Sequence, residues 1–445
     1  MKIVTIGAGE VGHAIAKALY ANNDIILIDK RDEACERAND LDVQVIQGNG
    51  ADINILKRAF PADLVVAVTG NDEINIVACI AAKLLSKKGA RDCMTIARVS
   101  SPDYINKPIT NREQIGIDYM ICPELTLASV VTEIISIPSA VGMDAFAEGK
   151  VEMIEFKVGP DTALNEIPLA DAKIPDCCVI SALIRGKDVI IPHGDDVMRE
   201  GDHVIMIGKP ESIEEIGELF GDTPNLHNKV MIIGAGTVGF YIAKLLAKHG
   251  DTNLKIIEAD AERCVEIADM LPDVLVLHGD GTDEMMLKSE GVADMDTVIA
   301  ATDSDERNLL CLLLAKQLGT RKIIAKVDRS EYMELFERVG IDAALSPKYA
   351  TINSVLRVTA GAGVESLAAI EEKQAELVEL VASPGAKITK KTLNRIKFPK
   401  GAIIGMIVRR NEVIVPRGTH QIQAGDRVVI FALASALTKV KKLFV

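Results

Sequence analysis

The stretch that decides the fold is KIVTIGAGEVGHAIAKAL, residues Lys2–Leu19. A short run of Ile and Val leads directly into a glycine loop of the form GxGxxG and then into apolar residues at helical spacing. In that context Gly7 permits a tight turn, Gly9 lets backbone N–H groups approach a pyrophosphate, and Gly12 allows the helix to pack closely on the strand. The stretch therefore predicts the first βα unit of a dinucleotide-binding sheet.

This stretch recurs later in the chain as KVMIIGAGTVGFYIAKLL, residues Lys229–Leu246. Three further pairs follow in the same order: QGNGAD with HGDGTD from Gln47 and His278, AVTGNDEIN with AATDSDERN from Ala67 and Ala300, and EGDHVIMIG with AGDRVVIFA from Glu200 and Ala424. Such an ordered series indicates that the chain consists of two tandem copies.

Each copy divides into two parts. The first part alternates short apolar runs with amphipathic segments, which predicts a doubly wound parallel sheet. In the first copy the predicted strands are Ile3–Ile6, Ile25–Ile28, Val43–Ile46, Leu64–Val68, Met94–Ala97 and Tyr119–Cys122. The second part is rich in β-type runs and predicts a small α+β module. The fold class is therefore α/β, with two tandem Rossmann-like sheets that are each followed by an α+β module, and the expected domains are 1–140, 141–223, 228–362 and 363–445.

Composition and charge exclude several classes of protein. The chain has 445 residues, 3% aromatic residues, no Trp and a net charge of -14, so its cores are aliphatic and a nucleic-acid partner is not expected. No stretch reaches the roughly 18 consecutive apolar residues of a membrane span, and Met1–Ile6 does not resemble a secretory signal. We expect a cytoplasmic protein with reduced, mostly buried cysteines and no metal site.

An acidic residue ends the second strand of each copy, Asp29 in the first and Glu258 in the second. At about 20 residues past the glycine loop, such a carboxylate accepts hydrogen bonds from the adenosine ribose and repels the 2′-phosphate of NADP. The ligand predicted is NAD, or another nucleotide with an unphosphorylated adenosine ribose such as ATP. We expect two sites per chain, and the second copy has the weaker case for NAD.

Further candidates lie at the carboxyl ends of the fourth and fifth strands, beside the predicted nucleotide crevice. In the first copy these residues are Thr69, Gly70 and Arg98, and in the second copy they are Thr302, Asp303 and Lys326. Asp303 places an extra negative charge where a phosphate would lie. Lys326 offers a point charge in place of the planar fork of Arg98, so we expect the two sites to differ in ligand preference.

Two features have more than one interpretation. The acidic pairs Asp72/Glu73 and Asp305/Glu306 either hold a divalent cation or complement the dipole of the helix that they begin. The predicted helix Glu124–Ile137 either lies between lobes or covers its own sheet.

The chain shows no pattern that predicts catalysis. A nicotinamide dehydrogenase needs a proton-transferring residue beside the nicotinamide. However, His193 and His203 of the first module are replaced by Arg417 and Arg427 in the second. The sequence also has no GxxxxGK[ST] loop and no GxSxG elbow. We therefore expect a binding protein in which a ligand shifts a conformational equilibrium.

The repeated order of GAGEVG, LID, QGNGAD, AVTGNDEIN, IARV and GDHVIMIG resembles the TrkA-like regulatory subunits of Trk potassium-uptake systems, over essentially the whole chain. The resemblance implies tandem pairs of RCK (KTN) N- and C-terminal domains. It also implies a homo-oligomeric ring, a dimer of dimers or a tetramer, on the inner face of the cell membrane. Such a ring gates an integral-membrane potassium-translocating subunit of the Trk or Ktr type in response to NAD(H) and to ATP or ADP.

The resemblance also implies which residues form the two sites. The first set is Gly7, Ala8, Gly9, Glu10, Val11, Asp29, Thr69, Gly70 and Arg98, and the second is Gly234, Ala235, Gly236, Thr237, Val238, Glu258, Thr302, Asp303 and Lys326. Two other classes stay open. An NAD-dependent oxidoreductase of the saccharopine-dehydrogenase kind shares the glycine loop but is not expected to repeat its whole domain pair. A channel-gating or efflux RCK ring usually has one copy joined to membrane helices.

Overall fold

The structure is a computed structural model that describes residues 1–20, 23–86, 92–101, 104, 116–137, 139–160, 162–186, 188–221, 229–248, 252–361, 366–370, 375–410 and 412–445. The predicted domain boundaries at 223, 228, 362 and 363 lie outside the described residues. The chain forms two compact units. Unit 1 comprises Met1–Ala128, Lys326–Met333 and Leu345–Leu356, and unit 2 comprises Ser129–Ala325, Glu334–Ala344 and Arg357–Val445.

The chain begins with a six-stranded parallel sheet. Its strands are β1 (Lys2–Ile6), β2 (Asp24–Asp29), β3 (Gln44–Gln47), β4 (Leu64–Ala67), β5 (Met94–Arg98) and β6 (Tyr119–Ile121). The strand order β3-β2-β1-β4-β5-β6 confirms the predicted doubly wound sheet. The direction of winding reverses between β1 and β4, and in such sheets the binding crevice lies at the carboxyl end of this switch point.

The helices of the first sheet follow its strands in chain order. They are α1 (Glu10–Leu19), α2 (Asp32–Arg37), α3 (Ile53–Ala59), α4 (Asp72–Ser86) and α5 (Pro123–Ser136). Ala78 and Ala82 of α4 are buried in one core with Val65 of β4. Because alanine side chains are small, α4 packs close to the sheet, and each strand needs aliphatic residues on both faces.

Helix α5 confirms the predicted helix at Glu124–Ile137. Its carbonyl end is bound by a cation from the second copy, because the buried ammonium of Lys322 donates to the carbonyl oxygens of Ile134, Ile137 and Ala140 at 2.7, 2.9 and 2.8 Å. A buried ammonium is stable only when its donors are paired, and the carbonyl end of a helix favours positive charge.

The first small module is a five-stranded antiparallel sheet with the order β10-β9-β11-β8-β7. Its elements are β7 (Ala140–Phe146), β8 (Val151–Lys157), β9 (Cys178–Arg185), β10 (Asp188–Ile190), β11 (His203–Gly208) and α6 (Ile213–Leu219). Arg185 binds the buried carboxylate of Asp202 through two nitrogens, at 2.9 and 2.7 Å. This pair ties the end of β9 to the turn before β11.

The second copy repeats the parallel sheet with an equivalent strand order, β14-β13-β12-β15-β16-β17. Its strands are β12 (Lys229–Ile233), β13 (Asn253–Glu258), β14 (Leu275–His278), β15 (Thr297–Ala300), β16 (Lys322–Lys326) and β17 (Ala343–Leu345). Its helices are α7 (Thr237–Lys248), α8 (Ala261–Met270), α9 (Glu284–Ser289), α10 (Asp305–Leu318), α11 (Met333–Arg338) and α12 (Pro347–Gly361). The internal repeat of the sequence is therefore a repeat of structure.

The second small module has the order β18-β19-β22-β20-β21. Its elements are β18 (Ser366–Ile370), β19 (Ala375–Val381), β20 (Ala402–Arg409), β21 (Glu412–Ile414), β22 (Arg427–Leu433) and α13 (Ala434–Phe444). Met153 and Ile205 of the first module are buried in the same core as Leu377, Met406 and Phe431 of the second. The two modules thus bury one shared apolar core inside unit 2.

Two further sequence expectations concern the cysteines and membrane spans. All eight cysteines are free, and six of them are buried, while Cys35 and Cys177 are half-buried. In the part of the chain that the structure describes, no helix is both long and apolar enough to cross a membrane.

Candidate functional site

A cleft of about 520 Å³ opens in unit 1 at the carboxyl edge of the first sheet. Its size lies within the range of about 300–1,000 Å³ that small-molecule sites occupy. The predicted residues that line it are Gly7, Gly9, Glu10, Val11, Asp29, Thr69, Gly70 and Arg98. Ala8 is buried and reaches the site through its backbone, since its N–H donates to Asp29 Oδ2 at 2.8 Å.

The glycine loop is shaped by two close approaches of the backbone. Gly7 has a φ of +101°, which side-chain-bearing residues rarely adopt. A Cβ on Gly12 would lie 1.7 Å from the carbonyl oxygen of Gly7, so only glycine fits where α1 crosses the loop. Gly9 is the N-cap of α1, and the first-turn N–H groups of a helix have no partner within the helix. The helix therefore begins at the cleft with donors available for an anion.

Asp29 is the charged anchor of the cleft. Its side chain is buried and accepts hydrogen bonds from the N–H groups of Ala8, at 2.8 Å, and Arg31, at 2.9 Å. Burial alone would raise the pKa of Asp29, but the hydrogen bonds from Arg31 and Ala8 outweigh burial and hold this pKa below its ordinary value. The carboxylate is therefore ionised at neutral pH and can accept hydrogen bonds from ribose hydroxyls.

An asparagine that we did not predict fixes the far wall of the cleft. The fully buried Asn75 accepts hydrogen bonds from the N–H and Oγ1 of Thr69, at 2.9 and 2.7 Å, and donates to the carbonyl oxygen of Arg98 at 2.9 Å. It thus joins the ends of β4 and β5, and Thr69 lies in the loop just past β4. Asn308 accepts the same two bonds from Thr302, at 2.9 and 2.6 Å. Both AVTGNDEIN and AATDSDERN end in this Asn, and its repetition in the sequence could have indicated its role.

The guanidinium of Arg98 lies in the lining of the cleft, and its hydrogen bonding shows whether the cleft fits a phosphorylated ligand. Its Nε is buried and has no hydrogen-bond partner among the described residues, while its Nη2 lies 4.0 Å from Glu124 Oε1. A buried donor without a partner is costly, and a guanidinium binds phosphate with two parallel hydrogen bonds. An anion in the cleft would supply the missing acceptor, so the residues present fit a nucleotide phosphate.

Each acidic pair stands in the first turn of a helix, Asp72/Glu73 in α4 and Asp305/Glu306 in α10. The carboxylate of Asp72 accepts hydrogen bonds from the N–H groups of Ser100, at 3.0 Å, and Ser101, at 2.7 Å. Asp305 and Glu306 begin α10. Across the described ranges, no group of three or more His, Cys, Asp or Glu side chains is placed to hold a metal ion.

A second cleft of about 480 Å³ lies in unit 2 at the equivalent edge of the second sheet. The predicted residues in its lining are Gly234, Gly236, Glu258, Thr302 and Asp303. The N–H of Ala235 donates to Glu258 Oε2 at 2.6 Å, which repeats the bond from Ala8 to Asp29. Of the other predicted residues, Thr237 and Val238 begin α7, and Lys326 Nζ is bonded to Asp328 at 2.7 Å. These three residues are not in the lining of the second cleft.

The two clefts carry opposite charge. Among the described residues the cations lining the first cleft are Lys30, Arg31, Arg37, Arg98 and Lys348, against the acids Glu10 and Asp29. The second cleft is lined by the acids Glu258, Asp260, Asp280 and Asp303, against the cation Arg307. Polyphosphate is therefore favoured electrostatically in the first cleft and opposed in the second.

Sequence reasoning missed part of the lining in both clefts. The loop after β3 contributes Gly48, Asn49 and Gly50, and its counterpart contributes Gly279, Asp280 and Gly281. The repeated QGNGAD and HGDGTD motifs could have revealed these residues, because the carboxyl ends of parallel strands share one edge. Lys348 has no such signal, since it belongs to the second copy and lines the cleft of the first.

Comparison with known proteins identifies the family. The family model of the TrkA-N domain matches residues 3–123 and 230–347, and that of the TrkA-C domain matches residues 153–221 and 377–445. The chain is 54% identical to Trk system potassium uptake protein TrkA homolog 1 of Methanosarcina mazei, with all of both chains covered. It is 32% identical to Trk system potassium uptake protein TrkA of Haemophilus influenzae, covering 100% of this chain and 98% of that protein.

Solved structures support the same fold. The GsuK RCK domain aligns with 99% of this chain and 94% of its own, with a TM-score of 0.60 and 16% identity. The GsuK channel bound to NAD aligns with 99% of this chain and 78% of its own, with a TM-score of 0.61 and 16% identity. At this identity the likeness shows a shared RCK fold. The family models and the curated relatives together show that this chain belongs to the TrkA family and contains two TrkA-N and two TrkA-C domains in alternating order.

Proposed function

We propose that this protein is the nucleotide-binding regulatory subunit of a Trk-type potassium-uptake system, and that ligand-driven conformational change gates the transporter. The observation that carries the proposal is the alternation of TrkA-N and TrkA-C domains along the chain, which it shares over full length with proteins named for Trk potassium uptake. The first cleft supplies the site at which a ligand acts.

The proposed ligands are NAD(H) and ATP or ADP. The first site consists of Gly7, Ala8, Gly9, Glu10, Val11, Asp29, Thr69, Gly70 and Arg98. The ionised carboxylate of Asp29 and the buried Nε of Arg98 support this assignment, because they suit a ribose and a phosphate respectively. A related fold, the GsuK channel, has been solved with NAD.

The second site uses the equivalent residues of the second copy: Gly234, Ala235, Gly236, Thr237, Val238, Glu258, Thr302, Asp303 and Lys326. We propose that it binds polyphosphate nucleotides more weakly than the first site. Its lining is acidic, and Asp303 stands where the first copy has Gly70. Negative charge beside a phosphate opposes binding.

The proposed partner is an integral-membrane potassium-translocating subunit of the Trk or Ktr type. We place the protein in the cytoplasm, peripheral on the inner face of the cell membrane, as a homo-oligomeric ring that is a dimer of dimers or a tetramer. The four domains are proposed to span 1–140, 141–223, 228–362 and 363–445. No part of the proposal requires catalysis by this chain.

Ligand binding is expected to act through the residues that join the strand ends. Asn75 is hydrogen-bonded to both Thr69 and the carbonyl oxygen of Arg98. A phosphate that binds the Arg98 guanidinium would therefore also exert force on the ends of β4 and β5 through these hydrogen bonds. A ligand shifts a conformational equilibrium only if it binds one state more tightly than the other. The open and closed states must therefore differ in the contacts that these groups make with the ligand.

Potassium uptake tests the proposal directly. Cells lacking their own uptake system are given the membrane subunit, with or without this protein, and the dependence of uptake on the protein is measured. In proteoliposomes NADH or ATP should change the flux, and Asp29→Ala should reduce that response more than the matched variant Glu258→Ala. The purified protein should bind NADH without consuming it. Oxidation of NADH by a metabolite would instead support the saccharopine-dehydrogenase alternative.

A further inference from the structure

We propose that Lys348, a residue of the second copy, binds the pyrophosphate of the ligand in the first cleft and that helix α12 thereby responds to occupancy of this site. The inference rests on the proposed nucleotide function of the first cleft and adds a binding residue that lies far from the glycine loop in sequence. It also gives that cleft a direct connection to the second half of the chain.

The position of Lys348 supports this role. It is the second residue of α12 and lies in the lining of the first cleft with Gly9, Glu10 and Arg98. Residues Leu345–Leu356 belong to unit 1 together with the first sheet. At the start of α12, the Oγ1 of the buried Thr351 donates to the carbonyl oxygen of Pro347 at 2.9 Å.

The present partner of Lys348 is a group that a phosphate can replace. Its ammonium is bonded to the carboxylate of Glu10, the first residue of α1. Glu10 therefore places negative charge at the N-terminus of α1, where a pyrophosphate would bind. The side chains of Lys348 and Glu10 are 32% and 66% exposed, and ion pairs this accessible to water are weak. A pyrophosphate carries more charge than one carboxylate and would compete for both the helix N-terminus and Lys348.

The first copy provides an internal contrast. Cys122-Pro123-Glu124 begins α5 as Ser346-Pro347-Lys348 begins α12, so Glu124 and Lys348 occupy equivalent positions with opposite charge. The carboxylate of Glu124 lies 4.0 Å from Arg98 in unit 1. The repeat thus does not fix a lysine at this position, and packing of the helix start does not explain why one is present.

The experiment measures binding of ADP and of adenosine to the full-length protein by calorimetry. Lys348→Ala should weaken ADP binding about tenfold, which is the size expected for one charged hydrogen bond, and should change adenosine binding less than about twofold. Lys348→Glu should weaken ADP binding further. Lys439→Ala, which removes an exposed lysine from α13, is the matched control and should change neither affinity.

The substitution Glu10→Gln tests whether the Glu10 carboxylate competes with the ligand phosphate or has only a structural role. If Glu10 competes with the phosphate, its neutralisation raises ADP affinity about threefold, and this gain is smaller in the Lys348→Ala background, where only the helix N-terminus is left to compete for. Unchanged ADP affinity in Lys348→Ala, or equal losses for ADP and adenosine, would overturn the inference.

The proposed function and the proposed role of Lys348 are contradicted by different results. If the wild-type protein binds ADP and Asp29→Ala loses it while Lys348→Ala retains it, the proposed function stands and the role of Lys348 is wrong. Absence of saturable ADP and NADH binding in the wild-type protein would contradict both.

Discussion

The two parallel sheets share strand order, glycine loop and acidic anchor, but their clefts differ in charge. Two residues after the acidic anchor, the first cleft has Arg31 and the second has Asp260. A fold can therefore be repeated faithfully while the charge of its cleft is changed by side chains at one edge of the sheet. In this protein the backbone geometry makes both clefts possible sites, and the lining charges distinguish them.

The largest expected effect tests what the two clefts have in common. Gly12→Ala and Gly239→Ala would place a Cβ 1.7 and 2.0 Å from the carbonyl oxygens of Gly7 and Gly234. Because the clash involves backbone, we expect each substitution to lower the free energy of unfolding by about 3 kcal/mol. Chemical denaturation measures this loss. Gly70→Ala is the control, since no atom lies within 4 Å of the added Cβ. Wild-type stability in Gly12→Ala would show that the helix does not cross the loop as closely as described.

The next largest effect is expected when the proposed phosphate-binding cation of each copy is replaced by the equivalent residue of the other copy. Arg98→Lys introduces the residue of the second copy and keeps the charge but loses the planar fork. We expect ADP affinity at the first site to fall about tenfold, as measured by calorimetry. Lys326→Arg should change ADP affinity little, because Lys326 is paired with Asp328. An unchanged affinity in Arg98→Lys would remove Arg98 from the proposed site.

A smaller effect is expected when the second cleft is made less acidic. Asp303→Gly introduces the residue that the first copy has at this position, Gly70. Removal of one negative charge near a bound phosphate should raise nucleotide affinity at the second site by about threefold at low salt. The measurement uses the Asp29→Ala background, in which the first site is silenced. Equal affinities with and without Asp303 would show that charge does not distinguish the clefts.

The smallest expected effect is a difference in the pH dependence of stability, and it follows from a pair that differs between the two small modules. Glu155 pairs with His203 at 2.5 Å in the first module, and Glu379 pairs with Arg427 in the second. Burial lowers the pKa of His203, but the hydrogen bond and charge of Glu155 outweigh burial and raise it above its ordinary value, with Glu337 adding to the rise and Lys157 opposing it.

The sign of the pH dependence follows from that raised pKa. The charged pair stabilises the fold fully below the unfolded His pKa of about 6.5, and its contribution is lost as pH rises through the higher folded pKa. His203→Arg should therefore reduce the loss of stability between about pH 6 and pH 9, by less than about 1 kcal/mol. Thermal melting of wild type and variant at both pH values measures the difference. An identical pH dependence in the variant would show that His203 is not the titrating group.

Much of the fold could be predicted from sequence because the signals are local. The strands of the first sheet were predicted to within one residue at each end, since each is a short aliphatic run bounded by polar or glycine residues. The glycine loop and Asp29 were predicted because they lie at the carboxyl ends of the first two strands of one βαβ unit. Thr69 was predicted from its place at a strand end.

The rest depends on residues that meet only in three dimensions. Lys348 reaches the first cleft from a helix of the second copy, and no pattern near Gly7 indicates it. Lys322 binds the end of α5 although the two are nearly half the chain apart. The shared core of the small modules could not be predicted from the sequence of either module. Each sequence indicates an apolar sheet face but not which surface covers it. Long-range pairing of this kind leaves no periodic signal in sequence.

The most direct test of the central claim is a titration of NADH into wild-type protein, Asp29→Ala and Glu258→Ala. We expect saturable binding to wild type without NADH consumption, a loss of about 10- to 100-fold in affinity for the tighter site in Asp29→Ala, and retention of that site in Glu258→Ala. Circular dichroism should show both variants folded. Unchanged affinity in Asp29→Ala, or loss of the tighter site in Glu258→Ala instead, would contradict the assignment of the first cleft as the principal nucleotide site.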